Sequence, residues 1–210
     1  MLYCKRIENF PIKSNCFVLF DRAVGDNCII IDPGSEDNTH LFQYLDQEGL
    51  LPEYIILTHE HFDHIWGVNT LVDRYGVPVV CSQLCAEAIK YEKRNCSVFY
   101  DFFERFTILS EAISIESINA ELPFFKYVIR FFKTPGHTDA SICFVADKFL
   151  FTGDTLIKDE KTVTKLPTGS VDKLKETVKG LEGFKGFGYE VCPGHGEMFE
   201  MDEYDLNRCS

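Results

Sequence analysis

The chain lacks most of what would place it in a specialised class. Its 210 residues contain one tryptophan, and no segment is rich in Ser, Gly and Pro. Nothing therefore reads as a linker, and a hydrophobic content of 45% suits one core, with residues 1–210 as a single domain. No apolar run approaches the ~20 residues of a membrane helix. The opening Met1-Leu2-Tyr3-Cys4-Lys5-Arg6 lacks the apolar stretch of a secretory signal. The nine cysteines include no Cys-x-x-Cys pair. These absences predict a cytoplasmic protein with reduced thiols and no membrane partner. Cys28, Cys81, Cys143 and Cys192 sit in β-like runs and are expected in the core. Basic residues are also scarce, 21 Lys and Arg against 33 Asp and Glu, for a net charge of −12. That argues against nucleic acid as a partner, because phosphate binding needs a basic surface. The segment 158–185 is an exception, with seven lysines against five acids. Most of those lysines read as the solvated face of a helix over Val171 to Glu182.

Histidine is scarce too, yet half of it is concentrated. Three of the six histidines lie in His59-Glu60-His61-Phe62-Asp63-His64, directly after the apolar run Tyr54-Ile55-Ile56-Leu57-Thr58. Three imidazoles and a carboxylate stripped of water are costly unless something pairs with them. Imidazole nitrogen and carboxylate oxygen are the donors that zinc and similar ions prefer. If the chain stays extended past Thr58, His59 and His61 point to one side and can hold one ion. A turn into a helix over His64 to Tyr75, with Gly76 as its stop, aims Asp63 and His64 elsewhere, at a second ion.

The remaining donors follow one rule. His137 stands in Thr134-Pro135-Gly136-His137-Thr138 after the β-like run Tyr127 to Lys133. Asp154 stands in Thr152-Gly153-Asp154-Thr155 after Phe149 to Phe151, and His195 in Cys192-Pro193-Gly194-His195-Gly196 after Tyr189 to Cys192. Each is a polar donor on a Gly-containing turn at the end of an apolar strand, where a rigid scaffold presents functional groups. Taken singly, Asp63 also suits a helix N-cap and Asp154 a turn. Seven such donors together point to metal. His40, in a helix expected over Asp37 to Gly49, reads as an ordinary surface residue.

His59-x-His61-x-Asp63-His64 followed by His137, Asp154 and His195 resembles the complete ligand set of the metallo-β-lactamase superfamily. The resemblance runs from Ile31-Asp32-Pro33-Gly34 to Gly194-His195-Gly196. It implies an α/β (α+β) fold, a four-layer αβ/βα sandwich of two mixed sheets face to face with helices outside. It implies that His59, His61 and His137 hold a first ion, that Asp63, His64 and His195 hold a second, and that Asp154 bridges them. Zinc is the favoured metal, and iron or manganese suit the same donors. Two divalent ions sharing a carboxylate can share a water whose pKa falls toward 7, giving a nucleophile without a Ser or Cys. Asp63 and Asp154 are then the carboxylates of the catalytic centre.

Thr134 to Thr138, Thr152 to Thr155 and Leu166-Pro167-Thr168-Gly169-Ser170 look most like single-domain glyoxalase II-like hydrolases. The implied substrate is a small-molecule thioester such as S-lactoylglutathione, since a thiolate leaves without protonation. Two departures stand out. The short stretch after His195 predicts that the helical domain with which full-length glyoxalase II helps bind glutathione is absent. Thr164-Lys165 also stands where related sequences carry Arg-Thr-Asp. Tyr100, in Phe99-Tyr100-Asp101-Phe102-Phe103 after a helix-like run Ser82 to Arg94, and Lys165 are the candidate substrate contacts. Two alternatives remain open. One is a mononuclear iron persulfide dioxygenase using His59, His137 and Asp154. The other is a non-catalytic metal- or ligand-binding member. Flavodiiron oxidoreductases fit less well, since they carry Glu where His61 stands.

Overall fold

The structure is a computed structural model that describes residues 1–100, 104–158 and 160–206. Six strands, β1 (Tyr3–Glu8), β2 (Asn15–Phe20), β3 (Asn27–Ile31), β4 (Leu51–Ile56), β5 (Val79–Cys81) and β6 (Ala112–Ser114), form one sheet in chain order. Six more, β7 (Glu121–Phe124), β8 (Tyr127–Lys133), β9 (Ile142–Ala146), β10 (Phe149–Gly153), β11 (Glu190–Pro193) and β12 (Phe199–Glu200), form a second. Both sheets are mixed. The β3–β4, β4–β5, β5–β6 and β10–β11 pairs are parallel and the others antiparallel. The helices are α1 (Thr39–Glu48), α2 (Phe62–Ile65), α3 (Val68–Tyr75), α4 (Gln83–Ala88) and α5 (Val171–Leu181). Among the described residues no helix is long and apolar enough to cross a membrane.

Strand alternation builds the layers. In β2, Phe17 and Leu19 point to the second sheet, where they meet Phe131, Phe144 and Phe151. Val18 and Phe20 point the other way, into a cluster with Leu41 and Leu45 of α1, Leu71 of α3 and Cys85 of α4. On the far side, Leu150 and Val191 pack under Leu174, Val178 and Leu181 of α5. The result is the four-layer αβ/βα sandwich. Phe144 and Phe151 stack at 4.6 Å between ring centroids, with Phe17 edge-on to Phe151 at 5.5 Å. Each such ring, fully buried, contributes about 1.5–3 kcal/mol relative to exposure. Cys28, Cys81, Cys143 and Cys192 are all buried.

The helix over 37–49 is α1, ended by Gly49 in the left-handed region at φ 62°. The helix over 171–182 is α5, with Ser170 accepting from the Lys173 N–H as its N-cap. The continuous helix expected over 64–75 is instead two pieces, α2 and α3. Its break has a packing cause. The Gly67 N–H donates to the Pro33 carbonyl at 2.8 Å, and a Cβ on Gly67 would collide with the buried Asn38 carboxamide. The run 82–94 is helical only to Ala88, after which turns carry the chain to Asn95.

Candidate metal centre

Four strand ends converge at one edge of the sandwich. β4 delivers the segment 57–61 and then α2, so His59, His61, Asp63 and His64 come from the first sheet. The turns after β8, β10 and β11 deliver His137, Asp154 and His195 from the second. His59 and His61 lie on one side of the chain, their ring centroids 4.8 Å apart, while Glu60 turns away to accept from the Thr138 hydroxyl at 2.9 Å. Burial pushes the Glu60 carboxyl up to about 7. Asp63 falls in the first turn of α2 and His64 in its last.

Six of the seven donors form two groups of three, and the seventh, Asp154, lies between them. His59, His61 and His137 each offer a nitrogen within 4.8 Å of the others, and so do Asp63, His64 and His195 with their donor atoms. His61 Nδ1 lies 2.9 Å from His137 Nε2. Two nitrogens on one tetrahedral zinc, at ~2.0–2.1 Å each, sit about 3.3 Å apart, so this spacing suits a shared ion. Asp154 lies between the groups. Its Oδ2 is 3.5 Å from His137 Nε2 and 3.5 Å from His195 Nε2, and its Oδ1 is 3.4 Å from His64 Nε2. Asp63 Oδ2 is 3.3 Å from His195 Nε2. Gly194 makes this closeness feasible, because a Cβ there would collide with the Asp154 carboxylate and the His64 ring.

The far nitrogens explain why the near ones are presented. His137 Nδ1 meets the Val163 carbonyl at 2.7 Å, and His195 Nδ1 the Lys13 carbonyl at 3.0 Å. His64 Nδ1 meets Asp32 Oδ2 at 3.1 Å, and His59 Nδ1 meets the Thr58 hydroxyl at 3.0 Å, which itself donates to Asp32 Oδ2 at 2.6 Å. The Thr58 N–H donates to Asp32 Oδ1 at 2.8 Å. Such outer partners fix tautomer and ring orientation, leaving each Nε2 as the free donor. His59 Nε2, His64 Nε2 and Asp154 Oδ1 are indeed buried with no hydrogen-bond partner, whereas His61 faces the first group through Nδ1, the nitrogen beside His137 Nε2. Orphaned polar atoms of this kind are expensive, and convergence of several on one point is what a cation site looks like. The donors therefore fit two divalent ions. Asp32 also lies within donor distance of His59 and His64, but its oxygens are already committed to Thr58 and His64.

The metal-free electrostatics divide the groups. Burial holds the His59 imidazole well below its ordinary value, and burial with the neighbouring His137 pushes His61 down to about 3. At His64 burial opposes charge, but Asp63, Asp154 and Asp32 outweigh it and raise the imidazole to about 9. At His195 the carboxylates of Asp154 and Asp63 overcome burial and raise it to about 11. Asp63 and Asp154 are in turn held low, against their burial, by His64 and His195.

A cavity of about 540 Å³ opens onto the centre. His61, Asp63, His137, Asp154 and His195 floor it, and Ile12, Phe62, Phe99, Tyr100, Ile157 and Leu166 supply apolar walls. Tyr100 thus stands in the cavity, 41% exposed, with its ring 4.5 Å from Phe62. Asp101, Phe102 and Phe103 lie outside the described residues. Lys165 lines an adjoining hollow with Thr162, Thr164 and Val171, whereas Lys161 lines the cavity itself. His40 is exposed on α1. Asp32 and Lys161 are the residues that sequence reasoning did not single out. Asp32 had a signal, an acid at the end of an apolar strand before Pro33-Gly34, and it adopts φ 50°. Lys161 had none beyond its place in the lysine-rich segment.

Comparison with known proteins is concordant. The family model for the metallo-beta-lactamase superfamily matches residues 10–195. An uncharacterised protein of Mycobacterium leprae is 31% identical over 201 residues, covering 90% of this chain and 91% of its own. A probable metallo-hydrolase of Methanocaldococcus jannaschii is 28% identical, covering 92% of each. A hydroxyacylglutathione hydrolase of Pectobacterium atrosepticum is 32% identical over 149 residues, which are 70% of this chain but only half of that protein. Among solved structures, the B3 metallo-beta-lactamase BLEG-1 superposes with a TM-score of 0.86 at 27% identity, covering 95% of this chain and 94% of that one. A protein solved in a di-iron-bound form superposes at 0.79 with 23% identity, covering 94% of each.

Proposed function

The chain belongs to the metallo-beta-lactamase superfamily, and from that premise we propose that it is a metallo-hydrolase that cleaves a small-molecule thioester, with S-lactoylglutathione as the first candidate. The observation that carries the reading is the set of buried donors without partners, His59 Nε2, His64 Nε2 and Asp154 Oδ1, next to the close His61 Nδ1–His137 Nε2 pair, at the base of a cavity that His61, His137 and Asp154 line. His59, His61 and His137 would hold one ion, Asp63, His64 and His195 a second, and Asp154 would touch both. Zinc suits these nitrogen and oxygen donors best, with iron and manganese as the other occupants the same set accepts. When bound, such ions supply Lewis acidity and lower the pKa of water toward neutrality.

The chain's own side chains do the rest. Cys96, the cysteine that lines the cavity, is pushed up to about 12 by burial, so it stays a neutral thiol and a poor nucleophile. Burial likewise raises the Tyr100 phenol. Neither supplies an anion at neutral pH, and with the carboxylates of Asp63 and Asp154 assigned to the ions, the reading takes water as the attacking group. The walls of Ile12, Phe62, Ile157 and Leu166 exclude bulk water and take the acyl portion. Tyr100 lies against that portion, and Lys161 is the cation placed for a carboxylate of the thiol carrier. A thiolate leaves without a proton, so the reading asks for no general acid. The glutathione carrier is supported by the likeness to the hydroxyacylglutathione hydrolase, of which this chain spans half. We place the protein in the cytoplasm, where its eight described cysteines, all unpaired, stay as thiols.

The test is one preparation of known metal content, analysed by plasma emission and assayed with S-lactoylglutathione, other thioesters, a β-lactam and glutathione persulfide. Two ions per chain and thioester cleavage abolished in His61→Ala are expected. One iron per chain with oxygen consumption on the persulfide and no thioester cleavage overturns the reading in favour of a dioxygenase. Hydrolysis of the β-lactam alone moves the substrate class.

A further inference from the structure

His195 differs from its fellow donors. Its side chain is 24% exposed, against 0% for His64 and 3% for His137, and unlike Asp63 and His64 of its own group it arrives on a Gly-flanked turn rather than on a helix. Something must hold that turn at the distance that brings His195 Nε2 within 3.3 Å of Asp63. The chain leading from β1 into the first residue of β2 does so. The buried Asn15 side chain donates through Nδ2 to the Pro193 carbonyl at 2.9 Å and to the Gly196 carbonyl at 2.8 Å, on either side of His195. Its backbone N–H donates to the Gly194 carbonyl at 2.7 Å. One residue thus grips three of the four carbonyls from 193 to 196. Ser14 forms an isolated β-bridge to His195, and the Lys13 carbonyl receives His195 Nδ1.

The same segment reaches the other half of the second group. The Ser14 hydroxyl donates to the Asp63 carbonyl at 2.5 Å, and Asn9 Nδ2 supports that hydroxyl at 2.8 Å and also reaches the Asp32 carbonyl at 3.2 Å. The outer partners of the first group lie elsewhere, at Thr58 for His59 and at Val163 for His137. The segment 9–15 therefore clamps the second group and leaves the first to other supports.

We propose that Asn15 and Ser14 are positioning residues that build the second metal site, setting its affinity separately from that of the first. Neither touches an ion or a substrate in this scheme. Asn15 fixes where His195 stands, and Ser14 fixes the start of α2 that carries Asp63. Loss of an outer partner costs about 10–100-fold in metal affinity. Because the clamp touches one group only, that loss falls on one ion. The proposal rests on the reading of the seven donors as a two-ion centre.

The experiment is a competitive chelator titration with Zn²⁺ alone, no substrate present, on wild type, Asn15→Asp and Ser14→Ala, with the melting temperature of each metal-free protein alongside. Asn15→Asp keeps the shape but sets a carboxylate oxygen against the Pro193 and Gly196 carbonyls. Ser14→Ala acts on the Asp63 arm and removes one hydroxyl, so it tests the clamp even where Asn15→Asp fails to fold. The expected result is two ions in wild type. In each variant one ion is unchanged and the other is about 10–100-fold weaker, and Co²⁺ loading shows one set of ligand-field bands retained and the other reduced. Two ions as tight in Ser14→Ala as in wild type overturn the inference, as does equal weakening of both. Fewer than two ions in the wild type itself overturns the metal-centre reading and this inference with it, an outcome visible before any variant is compared.

Discussion

Replacing Thr58 by valine tests the support beneath the centre without touching a donor. Thr58 is buried, and its hydroxyl donates to Asp32 at 2.6 Å while meeting His59 Nδ1 at 3.0 Å. Valine keeps the shape, which matters because Thr58 packs against Gly153 with no room for a Cβ between them. The substitution removes one hydrogen bond to a carboxylate, worth about 1.5–3 kcal/mol, and one between neutral groups, worth about 0.5–1.5 kcal/mol. The metal-free protein should lose about 2–4.5 kcal/mol, a large share of the ~5–15 kcal/mol that a typical domain possesses. His59 then has no outer partner, and affinity at the first group should fall about 10–100-fold. Thr58→Ser keeps the hydroxyl and gives up one methyl, about 0.8 kcal/mol, so it should restore affinity but not all of the stability. The assays are urea unfolding in the presence of chelator, read at constant slope, and a Zn²⁺ titration. A loss under ~1 kcal/mol together with unchanged affinity would refute the Asp32–Thr58–His59 relay as the element that orients His59.

Other outcomes follow from the same structure. The large inter-sheet core should keep the chelator-treated protein folded by circular dichroism, while zinc at 100 times its dissociation constant should stabilise it by about 2.7 kcal/mol; complete unfolding by a chelator at room temperature would contradict this. Tyr100→Ala should lower kcat/KM about two- to tenfold, from ~0.5–1.5 kcal/mol of lost ring contact, with metal content unchanged. Lys161→Ala should raise KM for a carboxylate-bearing thioester more than Lys165→Ala does, since Lys161 lines the cavity. Asp21 provides a pH prediction remote from the centre. The Tyr127 hydroxyl, donating at 2.5 Å, holds its buried carboxyl well below the usual range. A folded pKa below the unfolded ~3.9 gives stability that is present above about pH 4 and is lost as pH falls further. Asp21→Asn should therefore destabilise at pH 7, with the difference from wild type shrinking toward pH 2 in thermal unfolding scans.

Much of this was legible before the fold was known, and the reason is local. Each donor sits at the end of an apolar run, so its place on a strand end could be read from a few neighbours. The donor groups follow from the spacing of His59, His61, Asp63 and His64 together with the family resemblance. What escaped reading depended on distant segments. The break between α2 and α3 comes from Asn38 and Pro33, about thirty residues upstream, and periodicity over 64–75 carries no trace of it. Lys165 and Lys161 are alike in sequence, and only the course of the 155–166 segment decides which faces the cavity. Asn15 and Ser14 look like ordinary turn residues until the 193–196 turn is placed beside them.

The two sheets contribute unequally named but equally necessary halves of the donor set. Four donors ride on the end of β4 and on α2, and three ride on β8, β10 and β11. Neither trio is complete within one sheet, since His137 and His195 each cross over to complete the opposite pair. If the centre takes metal as proposed, uptake would be a latch that closes only after the halves have docked. A chain with one sheet formed and the other open has fragments of a site and none of its affinity. Damage to the Phe144–Phe151 stack, although it lies in the core of the sandwich and not in the cavity, should loosen the latch and speed metal release. On the two-ion reading, the rate of metal release to a chelator would then be a clock for the parting of the two layers.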